Sequence, residues 1–146
     1  MLPPMSPAFF SSDESARLQA LDRYGILDTE PEAAFDDVTQ LAAHIFVVPI
    51  ALVSLVDAKR QWFKSKVGLH VRETPKEISF CIHAIQEKEI FEVPDALQDA
   101  RFRTSPLVTG DPHIRFYAGA PLATPDGQNI GTLCLIDRVP RRLTTW

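Results

Sequence analysis

The chain has 146 residues, the size of one domain, and this length is enough to bury a single hydrophobic core. Its formal net charge at pH 7 is -4, and its basic residues are scattered along the sequence instead of being concentrated on one predicted element. Nucleic acid needs a concentrated basic surface, so the sequence predicts no nucleic-acid partner.

No stretch of the sequence approaches the roughly 18 consecutive apolar residues of a membrane-spanning helix. The start of the chain also lacks the basic residues and long apolar run of a secretory signal. We therefore expect a cytoplasmic protein without a membrane segment. In a reducing cytoplasm its two cysteines, Cys81 and Cys134, are expected to remain unpaired.

A flexible lead is predicted for residues 1–11, which are rich in proline and small side chains. Ser11 and Glu14 match a capping box, in which the hydroxyl and the carboxylate each accept a hydrogen bond from an otherwise unpaired amide. The first helix is therefore expected to begin there. It is expected to end at Gly25, since glycine favours the left-handed position after a helix.

A second capping box, Thr29 with Glu32, precedes an amphipathic run. The apolar residues of this run recur at helical spacing, namely Phe35, Val38, Leu41, Ala42, Ile45 and Phe46. The second helix is expected to end before Pro49, because proline has no amide hydrogen with which to extend the hydrogen-bond ladder.

The next stretch predicts two strands joined by a hairpin. "IALVSLVDA" and "QWFKSKVGL" are short runs of apolar, branched and aromatic residues around a polar turn. The following "HVRETPKEI" is expected to be a loop. Ser79 is expected to cap a short helix that runs through Gln86. A third strand is predicted in "EIFEVPDA", ending at Pro94.

Residues 97–113 are too broken by proline, glycine and threonine to be regular, and a loop of that size is usually functional or mobile. "IRFYAGAPLA" and "IGTLCLID" then form a clear hairpin around Asp126 and Gly127. Helices followed by hairpin-connected strands indicate an α+β domain with an antiparallel sheet. The sequence contains no phosphate-binding glycine loop, paired zinc-type spacing or serine elbow.

Six ordered phrases together resemble the GAF domains of bacterial sensory proteins, in particular the subgroup found in front of histidine kinases and diguanylate cyclases. These phrases are "YGILDT", "VPIALVSLVDAKRQWFKSKVGL", "ETPKEISFCIHAI", "VPDALQDARF", "PLVTGDPHIRFYAGAPLATPDG" and "IGTLCLIDRVPR". The resemblance implies a GAF domain over residues 12–142, followed by a tail over residues 143–146.

The GAF resemblance also implies a PAS-related fold. Its antiparallel sheet has five or six strands, with helices on one face and a small-molecule pocket under loops and a short helix on the other. Such domains usually form homodimers and regulate an output domain, here of the kind used in two-component or cyclic di-GMP signalling. The chain stops at "RRLTTW" without such an output, which leaves open a removed output domain or a standalone module.

The sequence departs from three better-defined GAF branches. Cys81 and His83 precede the predicted third strand, whereas the pigment-attaching Cys-His pair of the bilin branch follows it. The Asn-Lys-Phe-Asp-Glu signature of the cyclic-nucleotide branch is absent, and Cys81 and Cys134 do not reproduce the cysteine arrangement of the free methionine sulfoxide reductases. No cofactor is therefore expected, and the small-molecule ligand stays unidentified.

The two cysteines and His83 are candidates for lining the pocket. Residues two apart on a helix point about 200° apart, so Cys81 and His83 do not form a ready-made dyad. Each either packs locally or lines the pocket. Strand alternation places Cys134 on the same face as Thr132 and Ile136, where it either packs or borders the pocket.

A second group of candidates lies where the long loop enters the predicted hairpin. Asp111, His113, Arg115 and Tyr117 combine polar groups with an aromatic ring, as small-molecule sites do. Alternatively, Arg115 pairs with a nearby carboxylate and pins the loop. Asp95 either caps the turn after it or contacts a ligand.

Trp62 and Phe63 point to opposite faces of their strand, so one of them faces the helices and the other the pocket side or solvent. The predicted ligand-binding residues are Trp62, Phe80, Cys81, His83, Asp95, Asp111, His113, Arg115, Tyr117 and Cys134. No catalytic residue and no metal ligand is predicted.

Three functional hypotheses follow. The first is a sensor without catalysis of its own, which binds a small molecule or a protein partner and regulates an output domain. The second is a dimerisation scaffold with a degenerate pocket, in which the apolar stripe of Leu18 and Leu21 either packs internally or joins two copies. The third is a reductase of free methionine sulfoxide that depends on Cys81 and Cys134.

Overall fold

The structure is a computed structural model that describes the backbone of residues 7–143 and the side chains of residues 14–143. Within these residues the helices are α1 (Pro7–Tyr24), α2 (Ala33–Phe46), α3 (Cys81–Ala84) and α4 (Pro106–Thr109). The strands are β1 (Ile50–Val56), β2 (Arg60–Val67), β3 (Glu73–Pro75), β4 (Phe91–Val93), β5 (Phe116–Ala123) and β6 (Asn129–Asp137). Single 3-10 turns occur at Lys76–Ile78 and Ala96–Gln98.

The six strands form one sheet in the order β3-β2-β1-β6-β5-β4, and every neighbouring pair is antiparallel. The predicted α+β architecture with a central antiparallel sheet is thus confirmed. Helices α1 and α2 cover one face, which we call the helix face. The short helices α3 and α4 and the loops around them cover the other, which we call the cavity face.

Strand alternation separates the two faces as predicted. On β6, Leu135 packs in the cluster formed with α2, whereas Cys134 and Ile136 belong to the cluster under α3. On β2, Trp62 packs against Leu21 of α1. Its neighbour Phe63 lies on the cavity face. Leu21 of the α1 stripe therefore packs within the domain, while Leu18 stays partly exposed.

A β-bulge in β2 interrupts this alternation. Val53 of β1 pairs with Ser65, but the next residue, Ser54, pairs with Phe63, so Lys64 is the extra residue. The bulge turns both Lys64 and Ser65 toward the helix face. Lys64 Nζ lies 2.6 Å from a carboxylate oxygen of Glu32 in the segment that enters α2.

The two long helices begin differently from the prediction. Helix α1 starts at Pro7, inside the predicted flexible lead, since proline is well suited to the first turn of a helix. The side chain of Ser11 and the rest of the lead, residues 1–6, lie outside the described residues. The capping box at Thr29 is also wrong, because its hydroxyl donates to Ile26 O at 2.5 Å and Glu32 occupies the capping position of α2.

Other elements follow the prediction with local differences. Helix α2 ends at Phe46, before Pro49, and β4 ends before Pro94. The predicted helix from Ser79 to Gln86 shortens to α3, although the Ser79 hydroxyl does accept a hydrogen bond from Cys81 N at 2.9 Å.

The expected loop "HVRETPKEI" contains the edge strand β3, and an edge strand tolerates its proline. The irregular stretch 97–113 contains the short helix α4, whose capping residue Ser105 accepts a hydrogen bond from Leu107 N. Within residues 7–143, no helix is both long and apolar enough to cross a bilayer.

Candidate ligand pocket

A cavity of about 290 Å³ lies between the cavity face and the segments that cover it. This volume lies just below the range of about 300–1,000 Å³ typical of small-molecule sites. Strands β1, β2, β5 and β6 form its floor, and α3 and two loops form its walls. The lining residues are Leu52, Gln61, Phe63, Gly68, Leu69, His70, Val71, Thr74, Phe80, Cys81, Leu107, Asp111, Pro112, Ile114, Tyr117, Ile136 and Arg138.

The floor of the cavity is apolar and aromatic. Phe63 and Ile136 project from neighbouring parts of the sheet and belong to one buried cluster. Phe80 stacks on Phe102 with ring centroids 4.1 Å apart, and its ring lies 5.1 Å from that of Tyr117. A ligand that fills this floor must therefore carry an apolar or flat surface.

Polar groups surround this floor. Thr74 Oγ1 is buried, and it has no hydrogen-bond partner among the described residues. Asp111 and Arg138 stand on the side of the cavity where the loop after α4 meets the end of β6, and Arg138 Nε donates to Pro112 O at 3.1 Å. Gln61 accepts a hydrogen bond from the Ser79 hydroxyl through Oε1. These groups offer a ligand both donors and acceptors.

A compact group of thiols and hydroxyls lies at the inner wall of the cavity. Cys81 Sγ is 3.0 Å from Tyr117 Oη, 3.0 Å from Thr132 Oγ1 and 3.3 Å from Cys134 Sγ. Burial raises the pKa of the Cys81 thiol, but hydrogen bonds from its neighbours outweigh burial and hold that pKa below its usual value. Burial and the adjacent Cys81 sulfur raise the pKa of Cys134.

Four predicted residues line the cavity, and they are Phe80, Cys81, Asp111 and Tyr117. Phe80 and Cys81 come from the start of α3, Asp111 from the loop after α4, and Tyr117 from β5. The fold thus brings together residues that are distant in sequence. Cys81 and Tyr117, for example, are in contact although 36 positions separate them. Their role in binding a ligand stays a prediction.

Two predicted aromatic residues lie outside the cavity. Trp62 lies on the helix face, and its neighbour Phe63 lines the cavity instead. The predicted placement of Trp62 in the pocket is therefore corrected. The ring of His83 lies 5.0 Å from that of Phe102 and 6.0 Å from that of Phe91, and it does not line the cavity. Burial, followed by the charge of Arg101, lowers the pKa of His83.

The other predicted residues outside the cavity have structural contacts. Asp95 accepts a hydrogen bond from Leu97 N at 3.1 Å and so caps the following turn. Arg115 donates hydrogen bonds to Val108 O and Ile114 O. It therefore holds the loop through backbone carbonyls and not through the expected carboxylate. His113 is exposed with φ of 62°, and Cys134 is buried behind Cys81.

The loop that follows β2 was predicted as a loop, but its place in the cavity wall was not. Gly68 has φ of 78°, and a Cβ there would lie 2.0 Å from Pro49 O, so only glycine lets the chain turn over the sheet at this point. The next three residues, Leu69, His70 and Val71, then form part of the cavity wall. The positions Gln61 and Phe63 could have been found from strand alternation, because both lie on the same face of β2.

Among the described residues, no group of three or more histidine, cysteine, aspartate or glutamate side chains could hold a metal ion. The arrangement of an apolar floor with polar groups around it suits a molecule that is small and partly apolar.

Comparisons with known proteins agree with this geometry. Residues 30–146 match the family model of the GAF domain. Over 132 residues the chain is 48% identical to a cyclic di-GMP phosphodiesterase of Pseudomonas aeruginosa, a match that covers 90% of this chain. The chain spans only 22% of the length of that relative.

Two solved structures show the same fold at low sequence identity. The GAF domain of an Acinetobacter phosphoenolpyruvate-protein phosphotransferase is 16% identical with a TM-score of 0.61, covering 90% of this chain and 80% of that chain. A free methionine-R-sulfoxide reductase of Neisseria meningitidis is 14% identical with a TM-score of 0.62, and the match covers 99% of this chain and 83% of that chain. By the family match and the shared fold, this chain belongs to the GAF domain family.

Proposed function

We propose that this GAF domain is a sensor that binds a small, partly apolar molecule in its cavity and regulates a signalling output domain. The observation that carries the proposal is the cavity itself, where an apolar floor is combined with the unpartnered Thr74 hydroxyl and with Asp111 and Arg138. A domain without a ligand gains nothing from leaving such a space beneath its loops, because empty volume weakens packing.

Cyclic di-GMP turnover is the output that we favour for this sensor. The support comes from the relative named as a cyclic di-GMP phosphodiesterase, which is 48% identical over 132 residues. The output domain is then either attached to the GAF domain or associated with it. The GAF resemblance suggests a diguanylate cyclase, which belongs to the same turnover, or a histidine kinase, which is the other output class.

The proposed signal is a shift in the arrangement of the segments that cover the cavity. These segments are the loop after β2 and the stretch that contains α4, and both contribute wall residues without being part of the sheet. A ligand changes their population only if it binds one arrangement more tightly than another. A difference of a few kcal/mol in binding free energy is sufficient for a large shift.

Native mass spectrometry of the untreated protein, followed by a thermal-shift screen with metabolites, tests the sensor proposal. We expect either a co-purified molecule or a compound that raises the melting temperature, because a ligand that binds only the folded state stabilises it. Leu107→Trp places a large ring in the cavity wall and is expected to abolish the shift. Leu41→Trp, at an exposed position on α2, is the matched control and should retain it.

If no molecule co-purifies and no compound shifts the wild-type melting temperature, the sensor proposal fails and the scaffold hypothesis gains support. Equal shifts in Leu107→Trp and Leu41→Trp would place the ligand outside this cavity. A separate assay for turnover of free methionine sulfoxide tests the reductase hypothesis. The sensor proposal expects no turnover by the reduced protein.

A further inference from the structure

The thiols of Cys81 and Cys134 lie side by side although 53 residues separate them in sequence. Their sulfur atoms are 3.3 Å apart, and both residues are free cysteines that are almost completely buried. Cys81 begins the short helix α3, whereas Cys134 lies in the central strand β6. The pair therefore joins the wall of the cavity to its floor.

Only one of the two thiols faces the cavity. Cys81 is among the lining residues, while Cys134 sits behind it and is not. A small molecule in the cavity therefore meets Cys81 first. The hydroxyls of Tyr117 and Thr132, each 3.0 Å from Cys81 Sγ, can donate hydrogen bonds to that sulfur. Hydrogen bonds to sulfur stabilise a thiolate, which is the nucleophilic form of cysteine.

We propose that Cys81 and Cys134 form a reversible dithiol switch, in which a small peroxide enters the cavity and converts the two thiols to an intramolecular disulfide. This inference does not require the ligand of the proposed sensor. It assigns Cys81 as the thiol that reacts with the oxidant and Cys134 as the thiol that closes the bond.

The chemistry balances with hydrogen peroxide as the oxidant. An electron pair on Cys81 sulfur attacks one peroxide oxygen, the O–O bond breaks, and one water leaves, which produces a sulfenic acid on Cys81. Cys134 sulfur then attacks Cys81 sulfur, the S–O bond breaks, and the second water leaves with the remaining proton. Two thiols thus lose two electrons and two hydrogens, and one peroxide becomes two waters.

Closure of the bond requires a small local movement. The sulfur atoms must approach from 3.3 Å to the length of about 2.05 Å that a disulfide has. Strand β6 is held by β1 and β5 on its two sides, whereas α3 has only four residues. We therefore expect α3 to move toward the sheet. Oxidation would change the wall of the cavity and remove Cys81 from its contacts with Tyr117 and Thr132.

The test begins with the reduced wild-type chain, treated with hydrogen peroxide and then digested without reductant. We expect the intact mass to fall by two hydrogen atoms, a peptide pair linked through Cys81 and Cys134, loss of both free thiols, and recovery of both with dithiothreitol. Unchanged thiols, oxygen addition without a cross-link, or linkage only between two chains would overturn the proposal.

Two single variants separate the assigned roles. Cys134→Ser is expected to stop at the sulfenic acid, seen as a gain of one oxygen atom at Cys81 that dimedone captures. Cys81→Ser is expected to leave Cys134 reduced under the same treatment, because no oxidant reaches it through the cavity. Equal oxidation of the remaining thiol in both variants contradicts the assignment.

A measurement on the wild type alone covers the case in which a variant does not fold. The rate of disulfide formation is followed at several urea concentrations below the unfolding transition, with circular dichroism as the control for folding. A rate that is independent of urea supports reaction in the folded state. A rate that rises in proportion to the unfolded fraction shows that oxidation needs unfolding, and this overturns the proposal.

Discussion

The two faces of the sheet differ in how their buried polar side chains are hydrogen-bonded. On the helix face, the hydroxyls of Thr39 and Ser65 lie 2.7 Å apart, and Ser65 donates to Asp36 at 2.6 Å. On the cavity face, two buried side-chain oxygens have no partner among the described residues, and they belong to Ser54 and Thr74. The hydroxyls of the helix face are thus paired, while the cavity face keeps unused hydrogen-bonding capacity.

This difference shows how stability and binding are divided within one sheet. Buried polar groups in a folded protein are normally hydrogen-bonded, and exceptions need an explanation. Here both exceptions lie on the face that carries the cavity and the paired thiols. We infer that the helix face supplies most of the stability, since its buried hydroxyls are paired with α2, and that the cavity face is kept adaptable.

The largest expected effect comes from truncating one buried phenylalanine on each face. Phe116 is fully buried on the helix face beside α2, and Phe80 is equally buried but lines the cavity. Phe116→Ala should cost about 3–5 kcal/mol of unfolding free energy, because it removes a fully buried ring from the cluster beside α2. Phe80→Ala should cost about 3 kcal/mol, at the lower end of that range, since its ring already borders the cavity and makes fewer contacts on that side. Urea unfolding of both variants measures the difference.

For this comparison to hold, the unfolding free energies of the two alanine variants must fall with urea concentration at the same slope. A larger loss for Phe80→Ala than for Phe116→Ala would mean that the cavity face is the more rigid layer. The division of roles between the two faces would then be wrong.

A smaller effect is expected when atoms are added instead of removed. Leu135 and Ile136 are neighbours on β6 and point to opposite faces. Leu135→Phe should cost about 1–3 kcal/mol, because the packed helix face has no room for a larger ring. Ile136→Phe should cost less than about 1 kcal/mol, because the extra atoms enter the cavity. Thermal melts of the two variants provide the measurement, and equal losses would argue against an accessible cavity in solution.

Much of the sheet could be predicted from local pattern. Apolar and branched runs identified β1, β2, β5 and β6, and alternation placed Cys134 and Ile136 on one face. The bulge at Lys64 could not be predicted, because an extra residue in one strand leaves no mark in its composition. The edge strand β3 was missed because its three residues include a proline and are too few to show a period.

The cavity was harder to predict than the sheet. Phe80, Cys81, Asp111 and Tyr117 were found because they lie on or beside elements with a recognisable pattern. The loop after β2 was predicted as a loop but not as part of the cavity wall, because its position depends on the close approach of Gly68 to Pro49, a contact between different parts of the chain. Residues such as Arg115 were assigned to the pocket because residue type does not reveal direction, and its guanidinium points to carbonyls of its own loop.

The smallest expected effect concerns an ion pair that ties the helix layer to the segment leading into α3. The Glu14 carboxylate on α1 contacts Arg17 and Lys76, and Lys76 lies just after β3. Burial raises the pKa of Glu14, but its hydrogen bonds and charge interactions with Arg17 and Lys76 outweigh burial and lower the pKa to about 2. A carboxyl with a depressed pKa in the folded state stabilises the protein above its unfolded-state pKa and loses this contribution as the pH falls.

Glu14→Gln should therefore reduce the unfolding free energy by about 1 kcal/mol at neutral pH, a value that allows for solvent screening of a side chain one-third exposed. The difference from wild type should shrink as the pH falls from 4.5 toward 2, the unfolded and folded pKa values of Glu14. Urea titrations at several pH values provide the measurement. Glu77→Gln, at an exposed glutamate that has no ion pair in the described part of the chain, is the matched control and should be neutral throughout. A Glu14→Gln difference that stays constant down to low pH would show that Glu14 acts through packing and not through charge.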